Sequence, residues 1–139
     1  MKLLFSLFAF LLLSTNLIAQ DNIGNVKRGN VLIAELSVKK GDTINIYKLK
    51  FLDASKDILK SIEFDYTEKQ LKELYLFLKG MLSEKNGTNK DIQVAKHILN
   101  ITTQKVMGLR NLEIQVNEEY KFGLNGKELD KLFNMNVSE

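Results

Sequence analysis

The sequence predicts an α+β fold: an antiparallel sheet of about six strands, with one long and one short C-terminal helix packed on one face. Three observations predict it. Residues 31–52 alternate apolar and polar side chains around a Lys39-Lys40-Gly41-Asp42 turn. Residues 67–82 open with a capping box and repeat leucine at helical spacing. Residues 112–133 alternate again and then enter a second capped helix.

Taken in order, Lys2 precedes eleven residues, Leu3 to Leu13, whose only polar member is Ser6. A basic start, a short apolar core and a small Ala19 before Gln20 read as a secretory signal peptide over residues 1–19. A membrane anchor is the competing reading, but the apolar run falls short of the roughly 20 residues that cross a bilayer. The expected destination is therefore export, periplasmic or secreted, after cleavage near Ala19. Residues 20–30 are polar and are expected to form a flexible lead-in to a single domain over residues 31–135.

Val31–Val38 and Thr43–Leu52 form the first expected hairpin, with Gly41-Asp42 as a type II′ loop. That loop sets Leu36 opposite Tyr47, Ala34 opposite Leu49, Leu32 opposite Phe51, and Glu35 opposite Lys48 on the other face. After a polar loop at Asp53–Asp57, Ile58, Ile62, Phe64 and Tyr66 alternate with Leu59, Ser61, Glu63 and Asp65 as a third strand. Thr67 and Gln70 make the capping box of the long helix, with Tyr66 and Leu71 as its hydrophobic staple. Leu71, Leu74, Tyr75, Leu78, Met81 and Leu82 give that helix one apolar face, while Leu76 points outward among lysines and glutamate.

Glu84–Lys90 is a polar loop with an Asn-Gly turn. Asp91–Met107 fits a helical face through Ile92, Ala95, Ile98 and Leu99, but its β-branched content favours a strand. Leu112, Ile114 and Val116, then Tyr120, Phe122 and Leu124, make a second hairpin. Asn125 and Glu128 cap the short helix that carries Leu129, Leu132 and Phe133 inward. FDYTEKQLKEL, Phe64 to Leu74, overlays FGLNGKELDKL, Phe122 to Leu132, without gaps. The chain can thus be read as two βββα units.

The inventory excludes several chemistries. There is no cysteine and one histidine, so disulfides, thiolate nucleophiles, zinc ribbons and multi-histidine metal sites are out of reach, and neither a metal nor a cofactor is expected. The net charge is +3 and the charges are interspersed, which argues against a nucleic-acid partner. Glu63 and Asp65 share one side of a strand and could act as acid and base, although a solvated strand face has the same spacing. His97 could be a general base, but no nucleophile motif surrounds it. The glycines form no phosphate-binding fingerprint. Asn86, Asn100 and Asn136 begin glycosylation sequons, with Asn86 alone on an expected loop tip.

The LIAQ ending of the signal, ITTQKVMG from Ile101 to Gly108, and YKFGLNGKELDKLF from Tyr120 to Phe133 resemble small secreted proteins of the Bacteroidota type. The resemblance covers about a third of the mature chain. It implies a periplasmic or secreted bacterial origin and a terminal strand-helix element, and it carries no activity.

The expected function is an exported, noncatalytic binding or interaction protein of the bacterial cell envelope, with no membrane span in its mature form and another envelope or secreted protein as partner. The expected contact surface is the uncovered sheet face bearing Ile33, Ile44 and Ile46, with Leu76 as a further contact. Two alternatives stand beside it. One is an inhibitor or immunity protein that inserts Glu84–Lys90 into an extracytoplasmic hydrolase; the other is a small hydrolase using Glu63, Asp65 or His97.

Overall fold

The computed structural model describes residues 20–135. The signal-peptide reading of residues 1–19 and the sequon at Asn136 lie outside the described residues. Four strands, β1 (Asp21–Arg28), β2 (Val31–Lys39), β3 (Asn45–Asp53) and β4 (Ile58–Tyr66), are followed by helix α1 (Glu68–Met81). The order then repeats with β5 (Asn89–Val94), β6 (His97–Val106), β7 (Leu109–Val116), β8 (Tyr120–Asn125) and helix α2 (Gly126–Phe133). Each set of strands forms its own antiparallel four-stranded meander. The α+β class is as expected, but the single six-stranded sheet is corrected to two four-stranded sheets, and the repeat is ββββα rather than βββα.

The two missing strands have identifiable causes. Residues 20–30, expected to be a lead-in, contain β1, which pairs with β2 through two register shifts, after Asn22 and after Val26. Those bulges break the period-two pattern, so the segment reads as loop. Asp91–Met107 is extended, as expected, but folds back on itself at Ala95-Lys96 to give the β5–β6 hairpin. Ala95 takes a left-handed φ of 53° at that turn, with no glycine or asparagine to announce it. The first hairpin is also corrected. Its loop is longer than Gly41-Asp42, and the register moves by two residues to pair Leu36 with Leu49, Val38 with Tyr47 and Ala34 with Phe51. A two-residue slip keeps every side chain on its face, so the apolar pattern could not distinguish the two registers. Glu35 consequently faces Lys50, 3.4 Å away, instead of Lys48.

Both helices start as expected. Thr67 and Gln70 exchange capping-box bonds at α1, and Asn125 and Glu128 do so at α2. Leu71, Leu74, Tyr75, Leu78 and Met81 of α1 are buried, as are Leu129, Leu132 and Phe133 of α2. The two helices do not share one face of one sheet. Helix α2 lies across β1 and β2 of the first sheet, and the end of α1 reaches β6 of the second. Gly24 on β1 permits this crossing, since a Cβ there would sit 2.1 Å from the carbonyl oxygen of Lys131. On the other side Thr103 of β6 donates its hydroxyl hydrogen to the carbonyl of Met81 at 2.6 Å, which also accepts from the Glu84 amide at 3.1 Å, so the helix end is tied to the second sheet. The helices meet through Tyr75, whose hydroxyl donates to Asp130 at 2.7 Å, and through Lys79, 2.7 Å from the same carboxylate.

One core joins the two sheets. Phe51 of β3 stacks on Phe122 of β8 with centroids 4.7 Å apart, and an interior void of about 20 Å³ is lined by residues of both sheets and both helices. One edge of each sheet is also bonded across the junction. Edge strand β8 is met at Lys121, whose carbonyl accepts from the Ala54 amide at 2.9 Å and whose amide donates to Asp53 at 3.4 Å. Edge strand β4 is met at the Glu63 carbonyl, 3.1 Å from His97 Nε2. Covered edges are less able to pair with other chains.

Candidate functional site

The register of β5–β8 brings a set of uncharged polar side chains onto the outer face of the second sheet. Across it Gln104 pairs with Asn111 and Asn111 with Asn125; the next row joins Asn89, Thr102, Glu113 and Gly123; the next joins Asp91, Asn100, Gln115 and Lys121. Because side chains alternate along a strand, these rows share one surface while Leu99, Ile101, Leu112, Ile114, Phe122 and Leu124 fill the core behind it.

One corner of the face is fixed. Asn100 Nδ2 donates to the side-chain oxygens of Asn89 and Asp91, both at 2.7 Å, and Asn89 Nδ2 donates to Asn100 and to the Thr102 hydroxyl, also at 2.7 Å. Among the described residues, the side chains of Gln104, Asn111 and Gln115 have no such partner within the chain, so their donors and acceptors face outward.

Beside Gln104 and Asn111 the face opens into a cleft of about 450 Å³ that Arg28 and Ala54 of the first unit close on one side. Arg28 is held there by a bidentate pair with Glu128, Nε to Oε1 at 2.9 Å and Nη2 to Oε2 at 2.8 Å, and by donation to the Gly123 carbonyl at 3.1 Å. The pair raises the Arg28 pKa above its usual value. Burial pushes the Glu128 carboxyl upward, but the Arg28 guanidinium and the Asn125 amide outweigh it and leave the group below its ordinary range. Lys121 stands 3.9 Å from Glu113 on the cleft floor, and Val106, Met107 and Leu109 form an exposed apolar rim.

Asp53 lies behind this wall and is fully buried. Its Oδ1 accepts from the Ser55 amide at 3.0 Å, the Ser55 hydroxyl at 2.8 Å and the Lys121 amide at 3.4 Å, while Oδ2 has no partner. Desolvation pushes this carboxyl up, yet the bonds from Ser55 and Lys121 and the charge of Lys56 outweigh it and hold the group below its ordinary pKa. Its role is to bind the β3–β4 loop to the edge of β8.

The structure places the sequence-derived residues elsewhere. Ile33 is half-buried and packs against the core, so it is corrected from an exposed position. Ile44 falls in the loop before β3 and is exposed; Ile46 is exposed at the start of β3, beside Asp65. Leu76 is exposed on α1, remote from these isoleucines in the chain. Glu63 and Asp65 are exposed on β4, with Glu63 opposite Lys48. His97 is buried between the Glu63 carbonyl and the Asn117 amide, 3.0 Å from its Nδ1. Glu84–Lys90 does not project as a free loop. Gly87 donates to the Thr103 carbonyl at 2.7 Å, Thr103 donates to the Thr88 carbonyl at 2.8 Å, and Asn86 accepts from the Lys105 amide at 2.8 Å.

Sequence reasoning missed the cleft because its walls come from both units. One signal was available: polar residues alternate in Asn89-Asp91-Gln93, Asn100-Thr102-Gln104 and Asn111-Glu113-Gln115, three strands with one kind of exposed face. Among the described residues no helix is long and apolar enough to cross a membrane, and no group of three or more His, Asp or Glu is placed to hold a metal. The fold and cleft define an α+β protein of two ββββα units with a polar sheet face. Compared with family models, curated proteins and solved structures, the chain matches none.

Proposed function

We propose that this chain is an exported, noncatalytic binding protein of the bacterial cell envelope, and that it binds through the outer face of the second sheet and the adjoining cleft. The observation that carries the reading is the array of outward-facing amides on Gln104, Asn111 and Gln115, set on a rigid sheet beside a cleft held by the Arg28–Glu128 pair. Amides present donor and acceptor together, which suits a neutral, hydroxyl-rich partner such as an envelope glycan better than a charged one. The charged groups of the cleft are engaged with each other, Arg28 with Glu128 and Lys121 with Glu113, which favours holding a ligand over transferring a proton.

Titration of ¹⁵N-labelled protein with soluble envelope glycan fragments tests this. Saturable shifts in the side-chain amide resonances of Gln104, Asn111 and Gln115 support it. Shifts confined to the first sheet, or none with any fragment, overturn it.

A further inference from the structure

The β6–β7 turn is a two-residue hairpin whose central residues, Met107 and Gly108, have φ of 51° and 82°. Both positive values define a type I′ turn, in which asparagine or aspartate followed by glycine is favoured. Methionine is a poor choice at the first position on backbone grounds, and packing does not explain it, because Met107 is 98% exposed. Its neighbours Leu109 and Val106 are 63% and 47% exposed, so the hairpin ends in three adjacent apolar side chains. Ala95 takes the same backbone in the β5–β6 turn, but Met107 sets a long, exposed apolar side chain on it beside two more, and that combination is what points outside the chain.

The charges behind the tip indicate what it meets. Lys105 and Arg110 are a cross-strand pair directly behind Val106 and Leu109, and both are exposed. Arg110 is oriented by the carbonyls of Leu82 and Glu84 after α1. The acidic side chains Glu84 and Glu113 are paired with Lys90 and Lys121, leaving the hairpin end cationic. An apolar point with a basic collar one residue behind it, roughly 3.3 Å along each strand, presents apolar contact first and cationic contact next, the order in which an interfacial segment meets an anionic lipid surface.

We infer that the Val106–Leu109 turn is a membrane-touching finger, which dips into the interface of an anionic phospholipid surface while Lys105 and Arg110 engage the head groups. Contact is reversible and interfacial, and no span is involved. It holds the cleft beside the bilayer surface, since Val106, Met107 and Leu109 also rim that cleft. The inference does not depend on what the cleft binds.

Co-sedimentation with phosphatidylglycerol-containing vesicles tests it. The full chain is expressed, and wild type and variants are purified identically and compared only as the form whose N-terminus, read by mass spectrometry, begins after Ala19. Wild type is expected to bind these vesicles, to bind pure phosphatidylcholine vesicles at least about fivefold less, and to be released by salt. Met107→Asn, which suits the turn, is expected to reduce binding about tenfold with the fold intact by circular dichroism. Lys105→Gln with Arg110→Gln is expected to remove the preference for phosphatidylglycerol. Failure of wild type to bind, or equal binding by Met107→Asn, overturns the finger; equal binding to neutral vesicles overturns the role of the collar.

Discussion

The outer face of the first sheet sets Lys48, Lys50, Glu63 and Asp65 among Ile46, Leu52 and Leu59, whereas that of the second sets Asn100, Thr102, Gln104, Asn111 and Gln115 among Asp91, Glu113 and Lys121. Behind both faces the same strand order carries the same kind of core, Leu36, Tyr47, Phe51 and Phe64 in one unit and Ile101, Leu112, Ile114 and Phe122 in the other. Inward positions are constrained by packing density, while outward ones are free to differ. The difference between the faces therefore locates function better than the shared fold does.

The two units also depend on each other unequally. Helix α2 closes on the backbone of β1, with no room for a single added carbon, while α1 reaches β6 through a side-chain bond from Thr103. The first dependence is steric and the second is chemical. Overpacking against a backbone has no cheap relaxation, so the steric contact is the more brittle.

A methyl group added at Gly24 strikes the steric contact directly. Gly24→Ala should cost about 3 kcal/mol or more in urea unfolding, because its Cβ would lie 2.1 Å from Lys131 O. Gly123→Ala on β8, where the nearest atom would be 3.5 Å away, should cost less than about 1 kcal/mol. Similar losses at the two sites would mean that α2 can shift away from β1.

The helix–helix contact has a pH signature. Burial, together with the hydrogen bond to Asp130, pushes the Tyr75 hydroxyl up to about 12 from its usual 10.0. A raised folded-state pKa contributes stability that is complete below the unfolded value and lost as pH rises through the folded one. Unfolding midpoints should therefore fall between pH 10.0 and about 12, and Tyr75→Phe should flatten that slope. An unchanged slope in the variant would remove Tyr75 from the explanation.

At the cleft, Glu128 works oppositely, since its folded-state pKa lies below the usual 4.5. Its contribution is present above that value and lost as pH falls through the folded one. Glu128→Gln should lower stability near neutrality by about 1 kcal/mol and reduce the acid sensitivity below pH 4.5. Thermal melts across that range would detect it.

The smallest effect has the opposite sign. Met107→Asn should raise stability by about 0.5–1 kcal/mol, since asparagine tolerates the left-handed turn better. A loss instead would show that the methionine packs in solution.

Much of the local structure was legible. Both capping boxes, the core face of α1 and the alternating stretches at 58–66, 112–116 and 120–124 follow from side chains and their immediate neighbours, while β7 begins earlier than its alternation shows, at Leu109. β1 was hidden by its bulges, the Ala95-Lys96 turn by the absence of turn residues, and the hairpin register by a shift that leaves every face unchanged. The expected site fared differently. Ile44, Ile46 and Leu76 are exposed, while Ile33 packs against the core. The amide face was written in three strands, yet only their pairing shows that they form one plane.

Capping and periodicity act over a few neighbouring positions, so side chains alone specify the α+β class, both helix starts and the inward faces of α1, β7 and β8, but not the buried Val26 of β1. Two separate sheets, the crossing of α2 over β1 at Gly24, and the cleft that Arg28 and Ala54 close against Gln104 and Asn111 arise when the whole chain packs. Those outcomes rest on contacts between residues about a hundred positions apart, Arg28 with Glu128 and Gly24 with Leu132. Such contacts depend on how twisted sheets and helices fit together in space, which no local pattern encodes.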